Sequence, residues 1–90
     1  MLPTPHPAVL FQRVADGAIL LHTEQEIYFG LNSVGAEIWQ LLPPVCSDIN
    51  DLCARLRSRY SEVPEAELHA DVAELLRNLA NEGLVEAVGD

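Results

Sequence analysis

Histidine and cysteine side chains are the groups in this 90-residue chain best suited to catalysis or metal binding. His6, His22 and His69 lie far apart along the chain, without the short paired spacing that is typical of metal ligands. Six residues separate Cys46 from Cys53, which fits neither a CxxC redox pair nor a paired metal-ligand motif. The sequence therefore predicts no metal site and no cysteine nucleophile, and both thiols are interpreted as small apolar side chains.

The carboxylates are numerous, but their spacing is typical of a solvent-exposed helix face and not of a catalytic site. Glu65, Glu67, Asp71 and Glu74 have the spacing of the exposed face of an amphipathic helix, so general acid–base catalysis is not predicted. The five glycines are scattered, and no glycine-rich phosphate loop occurs. We therefore expect a domain that is not an enzyme and that needs no cofactor.

The charge of the chain is strongly acidic. Fourteen acidic residues against five arginines, with no lysine, give a formal net charge of −9, which disfavours binding to nucleic acids and to anionic membranes. Arg55, Arg57 and Arg59 form a basic group that is interpreted either as a solvated face or as a docking surface for an enzyme. Neither a spanning apolar run nor a basic, signal-like N-terminus occurs, so a cytoplasmic location is predicted.

These residues must be positioned by a small fold, which the hydrophobic pattern predicts to be α+β. A single domain over residues 1–90 is expected, with a proline-rich tail at residues 1–7. Three segments have the composition of strands: residues 9–14, 18–23 and 26–31. Asp16-Gly17 marks the first hairpin because both residues tolerate positive φ, and Glu24-Gln25 marks the second. The short connections predict a three-stranded antiparallel sheet with the third strand on an edge.

After residue 31 the hydrophobic period changes from two to about 3.6, which predicts helices. The first is expected to begin with Asn32 or Ser33 as its cap and to end before Pro43-Pro44. The second is expected to begin with Ser47 as its cap. The architecture is therefore three strands followed by helices, and it resembles a winged helix-turn-helix with the sheet placed first.

The third helix has the clearest boundaries. It is predicted to run for about twenty residues, from Pro64 at its first turn to Gly83 just past its end. Leu84 and Val85 are then expected to fold back onto the core or to pair briefly with a strand.

The third strand needs a partner on its free side. Its side chains alternate, with Ile27, Phe29 and Leu31 on one face and Tyr28 and Gly30 on the other. An edge strand presents unpaired N–H and C=O groups, which proteins normally cover or use. A bound peptide strand, the N-terminal segment or another loop, and a second copy of the chain are three coverings that the pattern leaves open.

Several runs of the sequence together resemble the PqqD-like family of peptide recognition domains. They are YFGLNSVGAEIWQLL at residues 28–42, residues 56–60, and DVAELLRNLANEGLV at residues 71–85. The most specific pieces are Leu31-Asn32 followed by Gly35 and Ile38-Trp39, and Asp71-Val72 placed before Leu75-Leu76, Leu79 and Gly83-Leu84. The resemblance extends over roughly the whole chain.

This resemblance implies binding of the leader peptide of a ribosomally synthesised, post-translationally modified precursor (a RiPP). The leader would join the third strand as a fourth antiparallel strand and lie between that strand and the third helix. The implied contact residues are Glu26, Ile27, Tyr28, Phe29, Gly30, Leu31, Asp71, Glu74, Leu75, Asn78 and Leu79. The acidic residues beside this groove would favour a leader with Lys or Arg near its ends.

The resemblance also implies a partner enzyme. The chain looks closest to the discrete proteins of lasso-peptide pathways, which work with a separate leader-cleaving protease. A second interpretation is a peptide chaperone for a radical SAM enzyme, as in pyrroloquinoline quinone biosynthesis. From other classes, a winged-helix DNA-binding domain is disfavoured by the acidic third helix, whereas an acidic interaction module that dimerises through its edge strand stays open. The chain is thus predicted to be a monomer or an edge-strand dimer.

Overall fold

The computed structural model describes residues 2–86 and confirms the α+β architecture. The elements are β1 (Thr4–Pro5), β2 (Val9–Val14), β3 (Gly17–His22), β4 (Ile27–Asn32), α1 (Ser33–Leu41), α2 (Ile49–Arg59), α3 (Glu65–Asn81) and β5 (Val85–Glu86). Strands β2, β3 and β4 form an antiparallel sheet in that order, so β2 and β4 are its edges. Strands β1 and β5 form a separate two-stranded antiparallel sheet.

The predicted strands are present, with two of them shifted by one residue. Strand β2 has the predicted bounds, whereas β3 begins and ends one residue before the predicted segment and β4 one residue after it. Glu26 is therefore wrong as a strand residue. It lies in the turn before β4 with φ of 56°, a left-handed conformation that ends one strand and redirects the chain into the next.

The first hairpin lies where Asp16-Gly17 predicted it. The reason for the glycine differs from the predicted one. Among the described residues the only positive φ values belong to Glu26 and Gly83, so positive φ is not what this turn requires. Gly17 is instead the first residue of β3 and pairs with Asn32 of β4. A Cβ atom at Gly17 would overlap the carbonyl oxygen of Leu31 and lie 2.9 Å from the carbonyl carbon of Asn32. Close approach of two backbones, and not turn geometry, requires glycine here.

The first two helices begin with side-chain caps. Asn32 caps α1 as predicted, because its Oδ1 atom accepts a hydrogen bond of 2.8 Å from the Gly35 N–H. The prediction of Ser47 as the cap of α2 is wrong. Asp48 caps this helix by accepting a 2.8 Å bond from the Asp51 N–H, and its negative charge also suits the positive end of the helix dipole.

The third helix and its exit agree closely with the prediction. Pro64 occupies the cap position of α3, the helix is 17 residues long, and Gly83 follows with φ of 74°. The Leu84 N–H donates to the carbonyl oxygen of Leu79 at 2.9 Å, which turns the chain back towards the core. Leu84 is fully buried and Val85 pairs with Pro5, so the expected return of this segment is confirmed.

The proline-rich segment is part of the fold, and its description as a tail is wrong for residues 2–7. Leu2 is 2% exposed, and its N–H donates to the carbonyl oxygen of Ser47 at 3.1 Å. The N–H of His6 donates to the carbonyl oxygen of Leu84 at 3.0 Å. Proline is compatible with extended backbone, and the non-proline residues between the prolines supply the N–H donors that the segment needs.

The core lies between the inner face of the sheet and the helices. Ala18 and Leu20 of β3 are at most 1% exposed and belong to a buried cluster that also contains apolar residues of all three helices. Cys46 and Cys53 are buried in the same cluster, and burial is the main cause that raises the pKa of each thiol, which supports their interpretation as apolar side chains. No helix in the described range is long and apolar enough to span a bilayer.

The opposite side of the sheet faces away from the helices. We call it the outer sheet face, and its residues are Leu10, Gln12, Val14, Gly17, Ile19, Leu21, Tyr28, Gly30 and Asn32. Four of these are large apolar side chains with more than a third of their surface exposed.

Replacing Gly17 with alanine tests the close backbone approach. We expect Gly17→Ala to lower the free energy of unfolding by roughly 1–3 kcal/mol, because the new methyl group has to displace β4 backbone. The matched control is Gly30→Ala on β4, whose Cβ would meet nothing within 4 Å and which should change stability by less than about 1 kcal/mol. Urea unfolding followed by circular dichroism measures both, and equal stabilities for the two variants would contradict this role of Gly17.

Candidate peptide-binding groove

A cleft of about 360 Å³ opens between the free edge of β4 and α3. Its lining comes from three elements: Phe29, Gly30, Leu31 and Asn32 of β4, Val34, Gly35 and Ile38 of α1, and Asp71, Glu74, Leu75 and Asn78 of α3. The sheet order ends at β4, so in residues 2–86 no strand pairs with this edge. The cleft therefore places unpaired backbone groups beside a mixed apolar and acidic wall.

The side of the cleft formed by α3 carries both polar and apolar side chains. Asp71, Glu74 and Asn78 are exposed, while Leu75 between them is half-buried. Their spacing of three, four and seven residues places these side chains on one side of the helix. The wall thus offers one apolar contact surrounded by hydrogen-bonding groups.

The base of the cleft comes from the start of α1. Asn32 ends β4 and caps α1 at the same time, so the chain passes from strand to helix without a loop. The first turns of α1 consequently lie directly below the strand edge. A Cβ at Gly35 would lie 3.2 Å from the Leu31 side chain, so this helix packs closely against the strand that precedes it.

Seven of the eleven predicted site residues line the cleft together: Phe29, Gly30, Leu31, Asp71, Glu74, Leu75 and Asn78. Ile27 and Tyr28 lie on β4 outside the cleft, and Glu26 lies in the turn before it. Leu79 is completely buried in the core and does not line the cleft.

Four lining residues were not predicted: Asn32, Val34, Gly35 and Ile38. The available signal was the absence of any turn residues between the strand and the first helix. A helix that starts directly at the end of an edge strand keeps its first residues close to that edge, so they are candidates for the lining of the groove.

The charged side chains that line the cleft are all acidic. Within residues 2–86 neither Asp71 nor Glu74 forms a salt bridge. Of the three clustered arginines, Arg59 pairs with Glu37 at 2.9 Å and Arg55 with Asp51 at 3.6 Å. The lining therefore contains two carboxylates and no cation, which is the charge arrangement that attracts a basic ligand.

A histidine cluster lies elsewhere, where the N-terminal segment meets the sheet. The ring centroids of His6 and His22, which are far apart along the chain, lie 4.6 Å apart in the structure. One potential ligand atom from each of His6, His22 and Glu24 lies within 4.8 Å of the others. However, the Nδ1 atom of His6 accepts the Ala8 N–H at 3.0 Å, and that of His22 accepts the Gln25 N–H at 3.3 Å.

These bonds decide what the cluster can do. A neutral imidazole has one lone pair and one N–H, so a ring that accepts at Nδ1 carries its proton on Nε2. Metal-binding histidines normally show the reverse, donating the second ring N–H to a neighbouring acceptor. The cluster is therefore built to hold the N-terminal segment and the β3–β4 turn together, and not to bind a metal ion.

Comparisons with known proteins give one matching family and one similar solved structure. The family described as Coenzyme PQQ synthesis protein D (PqqD) matches residues 17–85, which include β3, β4 and all three helices. The chain is also similar to a solved structure of TbiB1 in complex with the TbiA(beta) leader peptide. The two share 32% sequence identity, with a TM-score of 0.82 over 97% of this chain and 99% of that chain. None of the curated protein sequences compared with the chain matches it.

The tautomers of His6 and His22 can be tested with metal ions. We expect Zn²⁺ or Ni²⁺ at tenfold molar excess to leave the thermal midpoint unchanged, since binding would break the hydrogen bonds to both Nδ1 atoms. Differential scanning fluorimetry with and without EDTA measures this. A rise in the midpoint that disappears in His6→Ala would contradict the assignment.

Proposed function

The chain belongs to the PqqD family, and we propose that it binds the leader segment of a ribosomally synthesised precursor peptide by adding it to β4 as a fourth strand. The free edge of β4 beside an open cleft carries this proposal. The similarity to TbiB1, which was solved with a leader peptide, supports it. The proposed role is recognition and not catalysis, and the groove offers a ligand backbone groups, apolar contacts and two carboxylates.

Strand addition explains why this groove has its composition. Backbone hydrogen bonds supply affinity that depends little on sequence, and the alternate side chains that enter the cleft supply selectivity. Leu75 and Ile38 offer apolar contacts to such side chains, and Asn78 offers hydrogen bonds. A dissociation constant of about 1 μM or lower is the expected range for a short strand of this kind.

The proposed site consists of the cleft residues together with the rest of β4. Ile27 and Tyr28 would contribute backbone contacts beyond the cleft, and Glu26 marks the point where the leader leaves the sheet. An antiparallel leader would enter near Asn32 and leave near Ile27. The segment to be modified would then emerge beside the β3–β4 turn, where a processing enzyme has access to it.

We further propose that this enzyme is the leader-cleaving protease of a lasso-peptide pathway, as the sequence resemblance implies. A radical SAM enzyme that modifies a bound precursor is the alternative partner, and the groove would serve either in the same way. Because the precursor is made by ribosomes, we place the encounter in the cytoplasm. The domain would work as a monomer whose β4 edge is reserved for the leader.

Methylation of single peptide nitrogens tests strand addition directly. Ligands would be selected from a displayed library of random peptides of about 12 residues, twice the length of β4, with the TbiA(beta) leader peptide as a second probe. In a fourth strand only alternate residues donate N–H bonds to β4. We expect N-methylation at alternate positions to weaken binding about tenfold or more, and methylation between them to have little effect.

Isothermal titration calorimetry measures the series, and the unmodified peptide is the reference. Losses that follow a helical period, or that are equal at all positions, would contradict strand addition. Light scattering on the free protein tests the alternative that a second copy of the chain covers the β4 edge. A stable dimer that dissociates when the peptide is added would show that a second copy occupies β4.

The charge of the cleft predicts a preference for basic leaders. We expect the double variant Asp71→Asn/Glu74→Gln to weaken binding of a Lys-containing or Arg-containing ligand by roughly two- to tenfold, since each exposed pair contributes about 0.2–1 kcal/mol. It should also reduce the loss of affinity between low salt and 0.5 M NaCl. The matched control Glu67→Gln/Glu82→Gln also removes two charges. Glu67 lies in the first turn of α3 and Glu82 at its C-terminal cap, and neither lines the cleft. Equal effects of the two double variants would show that only net charge matters.

A further inference from the structure

The three-stranded sheet has a second open edge, which the proposed function leaves unused. Strand β2 pairs with β3 on one side, and in residues 2–86 no strand pairs with its other side. Its six residues pair with β3 in an unbroken register, and they contain no proline and no lysine. Proteins normally protect an exposed edge with such residues, with a bulge or by keeping the strand very short. The β2 edge has none of these protections.

The one charged side chain of β2 is held by other contacts. The Arg13 guanidinium donates to the Oε1 atom of Gln40 on α1 at 2.6 Å, and its carbon lies 5.8 Å from the centre of the Phe11 ring. These contacts tie the arginine to α1 and leave the backbone of β2 accessible. On the outer sheet face, Leu10 and Val14 are 58% and 43% exposed. The edge therefore combines open backbone with exposed apolar side chains, a combination that usually marks a contact site.

Two hydrogen bonds show which backbone groups of β2 point outward. The Thr23 N–H donates to the carbonyl oxygen of Ala8 at 2.9 Å, one position beyond the first pair of the β2–β3 ladder. Because the direction of the backbone groups alternates along a strand, the even-numbered residues of β2 bond to β3 and the odd-numbered ones point outward. The Val9 N–H accordingly bonds outside the sheet, to the N-terminal segment, at 3.0 Å. The N–H groups of Phe11 and Arg13 point outward too, and in residues 2–86 neither has an acceptor.

We propose that the β2 edge is the docking surface of the processing enzyme, which adds an edge strand of its own sheet to β2. The position of the enzyme relative to the leader rests on the proposed strand addition at β4. The N–H groups of Phe11 and Arg13 would donate to the incoming strand, and its alternate side chains would cover Leu10 and Val14. The sheet would then hold the leader on one edge and the enzyme on the other.

The position of β2 favours the processing enzyme as its occupant. Val9 pairs with His22 of β3, and His22 pairs with Ile27 of β4, so the three residues form one row across the sheet. Neighbouring strands lie about 4.8 Å apart, which places the start of β2 about 10 Å from Ile27. An antiparallel leader would leave the sheet at Ile27. An enzyme docked on β2 would therefore lie beside the segment that emerges from the leader.

Charge distinguishes the strands that the two edges would take. The cleft beside β4 is lined by Asp71 and Glu74, which favour a basic leader. Strand β2 carries Arg13 and no carboxylate, and like charges directly opposite each other in a sheet are destabilising. The strand that adds to β2 is therefore expected to be apolar at alternate positions and to lack lysine and arginine. A basic leader and such an enzyme strand would not exchange edges.

Displayed β-hairpins test whether the edge accepts a strand of this chemistry, because a closed hairpin presents a formed edge strand like that of a folded enzyme. The library would consist of disulfide-closed hairpins of about 14 residues, selected against the protein with β4 saturated by a selected leader peptide. We expect the enriched strands to be apolar at alternate positions and to lack lysine and arginine. Amide shifts of the labelled protein should map the bound hairpin to β2.

Methylation of single amide nitrogens in the protein separates the two edges. The full chain can be assembled chemically by joining residues 1–45 to residues 46–90 at Cys46. We expect N-methylation of Phe11 to weaken hairpin binding about tenfold or more and to leave leader binding unchanged. N-methylation of Gly30, whose N–H points outward from β4 by the same alternation, should have the reverse effect. Isothermal titration calorimetry measures both ligands, and thermal unfolding verifies that each protein is folded.

A side-chain variant and a spin label test the surface and its position. Leu10→Glu places a carboxylate among the apolar contacts and should weaken hairpin binding about tenfold. The matched control is Val45→Glu, since Val45 is 49% exposed in the loop between α1 and α2 and should leave hairpin binding unchanged. A nitroxide on the leader residue just beyond Ile27 should broaden the resonances of a hairpin bound at β2.

The outcomes distinguish the docking surface from the leader site. No selected hairpin at β2, or equal hairpin affinity with and without N-methylation of Phe11, would overturn the docking surface and leave leader binding intact. A dimer of the free protein that this N-methylation abolishes would also overturn it, because a second copy would then occupy the edge. A nitroxide that leaves the bound hairpin unaffected would overturn the assignment to the processing enzyme. Hairpins that bind β2 in a protein that binds no leader peptide would overturn the proposed function instead.

Discussion

The backbone N–H and C=O groups along the outer edge of β4 are the feature on which this structure depends. The sheet stops at β4, and no strand in the described part of the chain covers that edge. Exposed edges invite uncontrolled pairing between chains, so proteins tend to shorten, cover or use them. Here α3 stands beside the edge and α1 passes beneath it, which makes the open strand one wall of a cleft instead of a flat surface.

Other contacts hold this edge in place before a ligand arrives. Gly17 allows β3 and β4 to approach closely at one end of the hairpin, and Asn32 fixes the passage from β4 into α1. At the other end of β3, the His6 and His22 rings contact each other at a tilt of 44° and join the N-terminal segment to the sheet. We therefore propose that a binding strand meets a formed template, so that the ordering cost falls mainly on the peptide.

The sequence predicted the features that are local in the chain. Alternation gave the strands to within one residue, and the cap at Asn32 and the exit at Gly83 follow from side-chain chemistry that neighbouring residues determine. Ser47 was a wrong choice because it and Asp48 are adjacent and equally suitable caps. Pairing of β1 with β5 and contact between His6 and His22 join distant segments, so no local pattern shows them. Likewise, helical spacing places Leu75 and Leu79 on one stripe but does not tell which of them lies at its margin, beside the cleft.

The most direct test of the account is an isotope-edited NOE experiment on the complex of labelled protein with a selected, unlabelled peptide. We expect cross-strand contacts between the peptide backbone and the amide and α protons of β4, in antiparallel order from Asn32 to Ile27. Peptide contacts with the β2 edge, or with side chains of the outer sheet face alone, would show that the leader does not extend the sheet at β4.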